Sequence, residues 1–476
     1  LQPYLFTMIY VQQLYTNCLS EAAYYIESEG QAAIIDPLRD IEPYLALAKS
    51  RGTSIAYIFE THFHADFVSG HIDLGQTTGA PIVYGPGTET DYPVVVANDG
   101  EVFNLGKVSF TALHTPGHTL ESTCWLLKDD KGEDYALFSG DTLFIGDVGR
   151  PDLSSGNLSS QELAGMLYDS LQQKIMPLAD GVILYPAHGP GSSCGKNLGP
   201  ETQSTIGLQK QTNYALQPQT KAEFVTALTE GLSEAPRYFA INARINKEGY
   251  APLEGILSKG LQPLDIETFK RLKAQDNVLV LDSRHALEFA NGYVPDSVGI
   301  GLEGRFAEWA GSLLPFDKTL LLVAAPGTEE ETIVRLARVG FDKFGGYLAG
   351  GFAAWHQHGE PIDLIITIEP DELAMDMPFD DKLLVVDVRT ETEFGNGHVV
   401  DATNVPLAEL TDPGRMAMLP EDANLYVHCA GGYRSIIAAS LLKQQGLHNV
   451  RNISGGYNAI KTEKGIALTA EQAVLN

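Results

Sequence analysis

Between residues 61 and 66 the chain reads Thr-His-Phe-His-Ala-Asp, which puts His62, His64 and Asp66 at every second position. Imidazoles and a carboxylate are the side chains that bind a first-row transition metal through nitrogen and oxygen. At an extended strand end, His62 and His64 would point the same way, and Asp66 continues the alternation. Residues of the same types follow in order: His118 in TPGHT, Asp141 in SGDT and His188 in YPAHG, each after an apolar run or a turn signal. Core packing hardly explains four such strand-end positions, so the pattern points to a metal site. A second reactive centre lies far downstream. Leu425-Tyr-Val-His-Cys429 reads as a strand ending on a cysteine, followed by Ala-Gly-Gly-Tyr-Arg434-Ser435 and a helical run. Loop N–H groups and the positive end of a helix dipole would converge there on the sulfur and stabilise an anion bound to it.

The elements that must position these groups are short. Apolar runs closed by turn residues predict strands at Ala32–Ile35, Ile55–Phe59, Ile82–Tyr84, Val108–Leu113, Cys124–Leu127, Ala136–Phe138 and Val182–Tyr185. Helical spacing predicts helices over Ile41–Lys49, Gln161–Met176 and Lys221–Leu232. A glycine-punctuated stretch from Pro236 to about Pro263 reads as a linker. Beyond it the chain repeats itself. Val278-Leu-Val-Leu-Asp282-Ser-Arg284 matches Leu384-Val-Val-Asp387-Val-Arg389, Glu288-Phe289 matches Glu393-Phe394, and Ala349-Gly-Gly-Phe352 matches Ser454-Gly-Gly-Tyr457. Each copy alternates strands and helices with Gly-rich ends, which describes a small α/β domain with a parallel sheet.

The copies differ at one loop. In the first, Leu320-Leu-Leu-Val-Ala324 ends without a cysteine, and Ala-Pro326-Gly-Thr precedes Glu329, Glu330 and Glu331. It has no nucleophile and no loop arginine, and the loop reads as one residue shorter than in the second copy. This copy is expected to be inert in sulfur chemistry and to serve as packing between the other two domains.

The chain has 476 residues, too many for one core. Its net charge of −29 repels the phosphates of a nucleic acid and argues against that class of partner. Cys18, Cys124, Cys194 and Cys429 form no CxxC pair, so a disulfide framework and a thiolate zinc site are both disfavoured. No stretch approaches the ~18 apolar residues of a membrane span. The start, LQPYLFTMIY, lacks the features of a signal peptide, and Met8 is a candidate natural start. A cytoplasmic protein with reduced thiols is expected. The oligomeric state stays open, with a homodimer among the options.

The His/Asp series over roughly residues 8–245 resembles the metallo-β-lactamase superfamily. Residues 264–363 and 364–470 resemble rhodanese domains, the first without its cysteine and the second active. The resemblance implies an α/β multidomain chain: an αββα metallo-β-lactamase sandwich followed by two small parallel-sheet rhodanese-like domains. Two-zinc relatives continue the motif as HxHxDH, whereas here Phe67 stands at the last position. One metal is therefore expected rather than two.

The whole chain looks like a persulfide dioxygenase fused to rhodanese domains. That resemblance implies one Fe(II) per chain, bound by His64, His118 and Asp141, with His62, Asp66 and His188 orienting ligands or bound water. It implies oxidation of a low-molecular-weight thiol persulfide, such as glutathione persulfide, by O2 to sulfite and free thiol. Arg150, Lys196 and Cys194 are the candidates for touching that substrate. At the second site Cys429 would take sulfur from thiosulfate or a persulfide and pass it to a thiol or sulfite, with Arg434 binding the anionic donor. The alternative is a mononuclear zinc hydrolase, a glyoxalase II-like thioesterase, with accessory rhodanese domains.

Overall fold

The computed structural model describes residues 9–153, 158–196, 198–232 and 234–470. Met8 and the residues before it lie outside that range. The chain divides into two compact units. One runs through Leu253 and takes in Leu336–Phe341; the other comprises Glu254–Arg335 and the chain from Asp342 onward.

The first unit is built on two six-stranded sheets. The strands Tyr10–Thr16, Glu21–Ser28, Gln31–Ile35, Ser54–Phe59, Ile82–Tyr84 and Val95–Val96 lie side by side in chain order. The other sheet runs Ser204–Thr205, Ile183–Pro186, Asp134–Gly140, Thr123–Lys128, Val108–His114 and Val102–Leu105. Between them lies an aromatic core in which Phe59, Phe103, Phe110, Trp125 and Phe138 interlock. Outside the first sheet a second core forms under the helices Glu42–Arg51 and His71–Thr78. Outside the second sheet, Ser160–Ser170 and Lys221–Thr229 close a third. The result is the expected αββα sandwich. No described helix is long and apolar enough to cross a membrane.

The stretch read as a linker is instead largely helical, with helices Arg237–Glu248 and Leu253–Gly260. Tyr238, Phe239, Asn242 and Asn246 are the buried face of the first of these. Two asparagines on that face weaken the apolar periodicity, which is why the helix is hard to see in the sequence.

The second unit holds the repeats, each a five-stranded parallel sheet. The orders are Pro263–Leu264, Phe344–Leu348, Thr319–Val323, Val278–Asp282, Val298–Gly299, and Ile366–Ile368, Val450–Ile453, Asn424–His428, Leu383–Asp387, Thr403–Asn404. Both carry the same buried staple. Arg284 spans Asp282 and the carbonyl of Gly292, and its guanidinium lies 4.3 Å from the centre of the Phe352 ring. Arg389 does the same with Asp387, Gly397 and Tyr457, at 3.9 Å from the ring.

Candidate metal and sulfur sites

Every group of the His/Asp series sits just past the carboxyl end of a strand of the first unit: Ser54–Phe59, Val108–His114, Asp134–Gly140 and Ile183–Pro186. Gly140 (φ +52°) makes this approach possible. A Cβ there would lie 2.6 Å from the Thr61 side chain, so only glycine lets Asp141 come up beside His62.

The geometry of the imidazoles is set from behind. Asp36 accepts the Thr61 N–H at 2.8 Å and the Thr61 hydroxyl at 2.9 Å. That hydroxyl oxygen lies 2.9 Å from His62 Nδ1 and takes its proton. His118 Nδ1 donates to the Arg150 carbonyl at 2.8 Å, and His188 Nδ1 to the Ser20 carbonyl at 3.2 Å. A carbonyl only accepts, so each ring keeps its proton on Nδ1 and turns an Nε2 lone pair inward. Those lone pairs meet the Asp141 carboxylate at 3.7 Å from His62, 3.4 Å from His118 and 3.4 Å from His188. Acceptors thus face acceptors, and both Asp141 oxygens, both Asp66 oxygens and His188 Nε2 are buried without a hydrogen-bond partner. Such a set is stable only around a cation, so the residues fit a metal.

One trio that converges is His62, His118 and Asp141. The family resemblance implies His64 in this trio, and an extended strand end would turn both rings the same way; His62 stands there instead. The strand stops at Phe59, however, and the next residues turn, with the two rings inclined at 51°. His64 Nε2 points to Asp36 Oδ1 at 3.0 Å and Glu60 Oε2 at 3.7 Å, while its ring lies 4.2 Å from Phe67. The electrostatics separate the pair further. Burial, together with His64, His118 and His188, holds His62 well below the ordinary imidazole range. Burial also opposes a charge on His64, yet Asp36, Glu60 and Asp66 outweigh it and raise His64 to about 10. The surroundings thus favour a neutral ring at His62 and a charged one at His64.

Asp66 and His188 form a second group with His64, and Asp141, His188 and Cys194 a third. Cys194 is thus beside the site; burial, followed by Asp66 and Asp141, pushes its thiol well above the usual range. The two cations expected to anchor substrate are occupied elsewhere. Arg150 is buried in a bidentate pair with Asp152, both contacts at 2.7 Å, and lies 3.4 Å from the Ser193 carbonyl. Lys196 donates to the carbonyls of Ala227 and Glu230, at the carboxyl end of the helix Lys221–Thr229.

Asn246 was not legible in the sequence. Fully buried, it donates to the carbonyls of His64 and Phe67, both at 2.8 Å, and accepts the Ser69 N–H at 2.9 Å. Those three bonds hold the loop that carries His62, His64 and Asp66. No local motif announces such a residue, because its partners are some 180 positions away in the chain.

In the second repeat Cys429 ends the strand Asn424–His428, and the helix Tyr433–Gln444 starts four residues later. Its sulfur accepts the Gly432 N–H at 3.1 Å and lies 3.6 Å from Ser435 Oγ. Gly456 (φ +56°) passes beneath it; a Cβ there would sit 2.3 Å from the Cys429 carbonyl. Arg434 does not reach freely toward the sulfur. Both its terminal nitrogens bind Glu393 at 2.7 Å, and hydrogen bonding to Arg434 is the main reason Glu393 is lowered to about 2.

The comparisons with known proteins agree with this layout. The metallo-β-lactamase superfamily model matches residues 16–188, and the rhodanese-like domain model matches 265–358 and 369–463. A crystal structure of a metallo-β-lactamase from Staphylococcus aureus subsp. aureus COL is 30% identical, with a TM-score of 0.65, covering 72% of this chain and 99% of that one. A β-lactamase hydrolase-like protein of Xylella fastidiosa (strain 9a5c) is 31% identical over 42% of this chain and 50% of its own length. A hydroxyacylglutathione hydrolase of Francisella tularensis subsp. novicida is 34% identical over 36% of this chain and 64% of its own. The chain therefore spans about half to two thirds of the length of these curated relatives. It belongs to the metallo-β-lactamase superfamily, with two rhodanese-like domains following the metallo-β-lactamase domain.

Proposed function

We propose that the first unit oxidises a low-molecular-weight thiol persulfide with O2, and that Cys429 transfers sulfur among the same compounds. The observation that carries this reading is the trio His62, His118 and Asp141: two imidazole lone pairs and a carboxylate, held from behind and sharing no proton. A two-histidine, one-carboxylate set is the donor type that would hold iron(II) for chemistry with O2. Iron(II) held there supplies the redox chemistry that zinc lacks. The overall change is balanced: persulfide, O2 and water give free thiol, sulfite and two protons.

The protein's own part is to hold and to shield. Thr61, Arg150 and Ser20 fix the tautomers of the three inward-facing imidazoles, and buried Phe67 packs its ring 4.2 Å from that of His64. At the second site the Cys429 thiolate attacks the outer sulfur of a persulfide, the free thiolate leaves, and sulfite then takes the sulfur as thiosulfate. The same reading puts the protein in a reducing cytoplasm, which suits its four free cysteines.

A zinc hydrolase is the second reading. The group Asp66, His188 and Asp141 beside the first trio favours it, as does likeness to a hydroxyacylglutathione hydrolase. Metal analysis with two assays separates them. The dioxygenase reading expects one iron per chain and oxygen uptake with glutathione persulfide. It also expects His62→Ala to lose both, while His64→Gln weakens metal binding by about 10–100-fold. Zinc in place of iron, one or two ions per chain, with thioesterase turnover and no oxygen uptake would replace it with the hydrolase.

A further inference from the structure

The helix Tyr433–Gln444, which begins where the Cys429 loop ends, is buried without interruption from Ser435 to Leu442. A helix that packs on one sheet shows a single apolar stripe; one buried all round has a partner on its other side. Here the partner is the first repeat. Gly299 N–H donates to Ser440 Oγ at 3.1 Å, Gln444 donates to the Asp296 carbonyl at 3.1 Å, and Lys443 pairs with Asp363 at 2.6 Å. At the loop end the Tyr433 hydroxyl donates to the Gly301 carbonyl at 2.7 Å, with the Tyr433 ring packed over Gly304.

The backbone that receives Tyr433 is itself braced. Arg335 donates to the carbonyls of Leu302 at 2.8 Å and Gly304 at 3.3 Å. Arg335 belongs to the helix Glu329–Ala337, the counterpart in the first repeat of the helix that follows Cys429. In the copy without the cysteine, that helix supports the loop that contacts the other copy's site.

We infer that the first repeat is a working part of the sulfur-transfer site, and that Tyr433 is a positioning residue through which the 301–304 loop holds the Cys429 loop in shape. Gly432, whose N–H contacts the sulfur, is the residue immediately before Tyr433. Freeing the tyrosine therefore lets the amide that faces the sulfur drift, and a shift of a fraction of an ångström is enough to weaken such a contact. This inference rests on Cys429 being the sulfur-transfer nucleophile.

The test compares Tyr433→Phe with Ser440→Ala in the full chain, because both lose one contact to the first repeat but only Tyr433 adjoins the loop. Sulfur transfer from glutathione persulfide to sulfite gives kcat and KM. Hydrogen exchange of the loop amides, residues 430–435, is read by mass spectrometry. For Tyr433→Phe the expectation is about a tenfold fall in kcat with KM within twofold, and loop exchange at least severalfold faster, at a nearly unchanged melting temperature. Ser440→Ala is expected to lower the melting temperature and leave kcat and loop exchange at parental values. Arg335→Ala should reproduce the Tyr433→Phe pattern in part, and Arg335→Lys should restore it. Parental kcat and parental loop exchange in Tyr433→Phe would overturn the inference, as would equal effects of Tyr433→Phe and Ser440→Ala. A parent protein without sulfur transfer would overturn the assignment of Cys429 instead, and the exchange measurement would still decide the positioning.

Discussion

The strand Thr319–Val323 of the first repeat and the strand Asn424–His428 of the second hold the same place in their sheets, with Val323 beside Asp282 and His428 beside Asp387. They end on opposite chemistry. After His428 comes a cysteine whose sulfur accepts the Gly432 N–H. After Val323 comes Ala324, and the nearby Gly327 N–H is taken at 2.8 Å by the carboxylate of Glu329. In one loop the backbone amide faces a sulfur; in the other it is already neutralised by the protein's own acid. The first loop is also not the shorter one. Its helix begins at Glu329, one residue later than the equivalent start at Tyr433, with Pro326 contributing no N–H in between. Meanwhile the Asp–Arg staple and its aromatic lid are kept in both copies. The two copies therefore differ at the loop while sharing the staple that ties strand to helix in each scaffold.

The contrast can be broken most directly at the nucleophile. Cys429→Ser is expected to lower sulfur transfer by at least about a thousandfold, while oxygen uptake at saturating persulfide stays near the parental rate. Loss of oxygen uptake in that variant would mean the two sites are not chemically independent. The likeness is sharpened at the staple. Asp282→Asn and Asp387→Asn each leave a buried arginine without its carboxylate, and each should destabilise the second unit by about 3–5 kcal/mol in urea unfolding. A large effect in one repeat and none in the other would show that the shared staple has lost its purpose in one copy.

A smaller effect is expected from acid. Glu393 has a lower pKa folded than unfolded, so the contribution of its Arg434 pair is present above the unfolded value near 4.5. It is lost as the pH falls toward about 2. Comparing parent with Arg434→Ala in urea between pH 5 and 2.5 should show the parent's advantage shrinking, by about 1 kcal/mol or less because the pair is partly exposed. An advantage independent of pH would remove Glu393 as its source. The smallest expected effect is none at all: Ala324→Cys in a Cys429→Ser background should not transfer sulfur from thiosulfate. Its loop amide is occupied by Glu329, and no arginine adjoins it. Activity near the parental rate would show that a cysteine alone makes the site.

Much of this architecture is readable in a linear chain because its causes are local. Alternating apolar runs and turn residues mark the strands of the sandwich, and self-similarity marks the repeats. The missing cysteine of the first repeat is equally plain, with Ala324 in its place and three acidic residues soon after it. The metal-binding residue types are likewise visible, since His62, His64, Asp66, His118, Asp141 and His188 come in a recognisable order.

Which of them converge is a different matter. Two histidines separated by one residue look equivalent in the sequence. The tertiary structure turns His62 toward Asp141 and His64 toward Asp36 and Glu60, because the strand ends before them and Asp36 grips Thr61. The same holds for two of the charged candidates: Lys196 and Arg434 look available until folding supplies two helix-end carbonyls and Glu393, whereas the partner of Arg150, Asp152, is two residues along the chain. Asn246 and Tyr433 carry no signal of their own, since their partners lie 182 and 132 positions away. Residue types and strand order are encoded in neighbours along the chain. The direction of each lone pair, and the partners of Lys196 and Arg434, depend on groups distant in the chain that only folding brings within 3 to 4 Å.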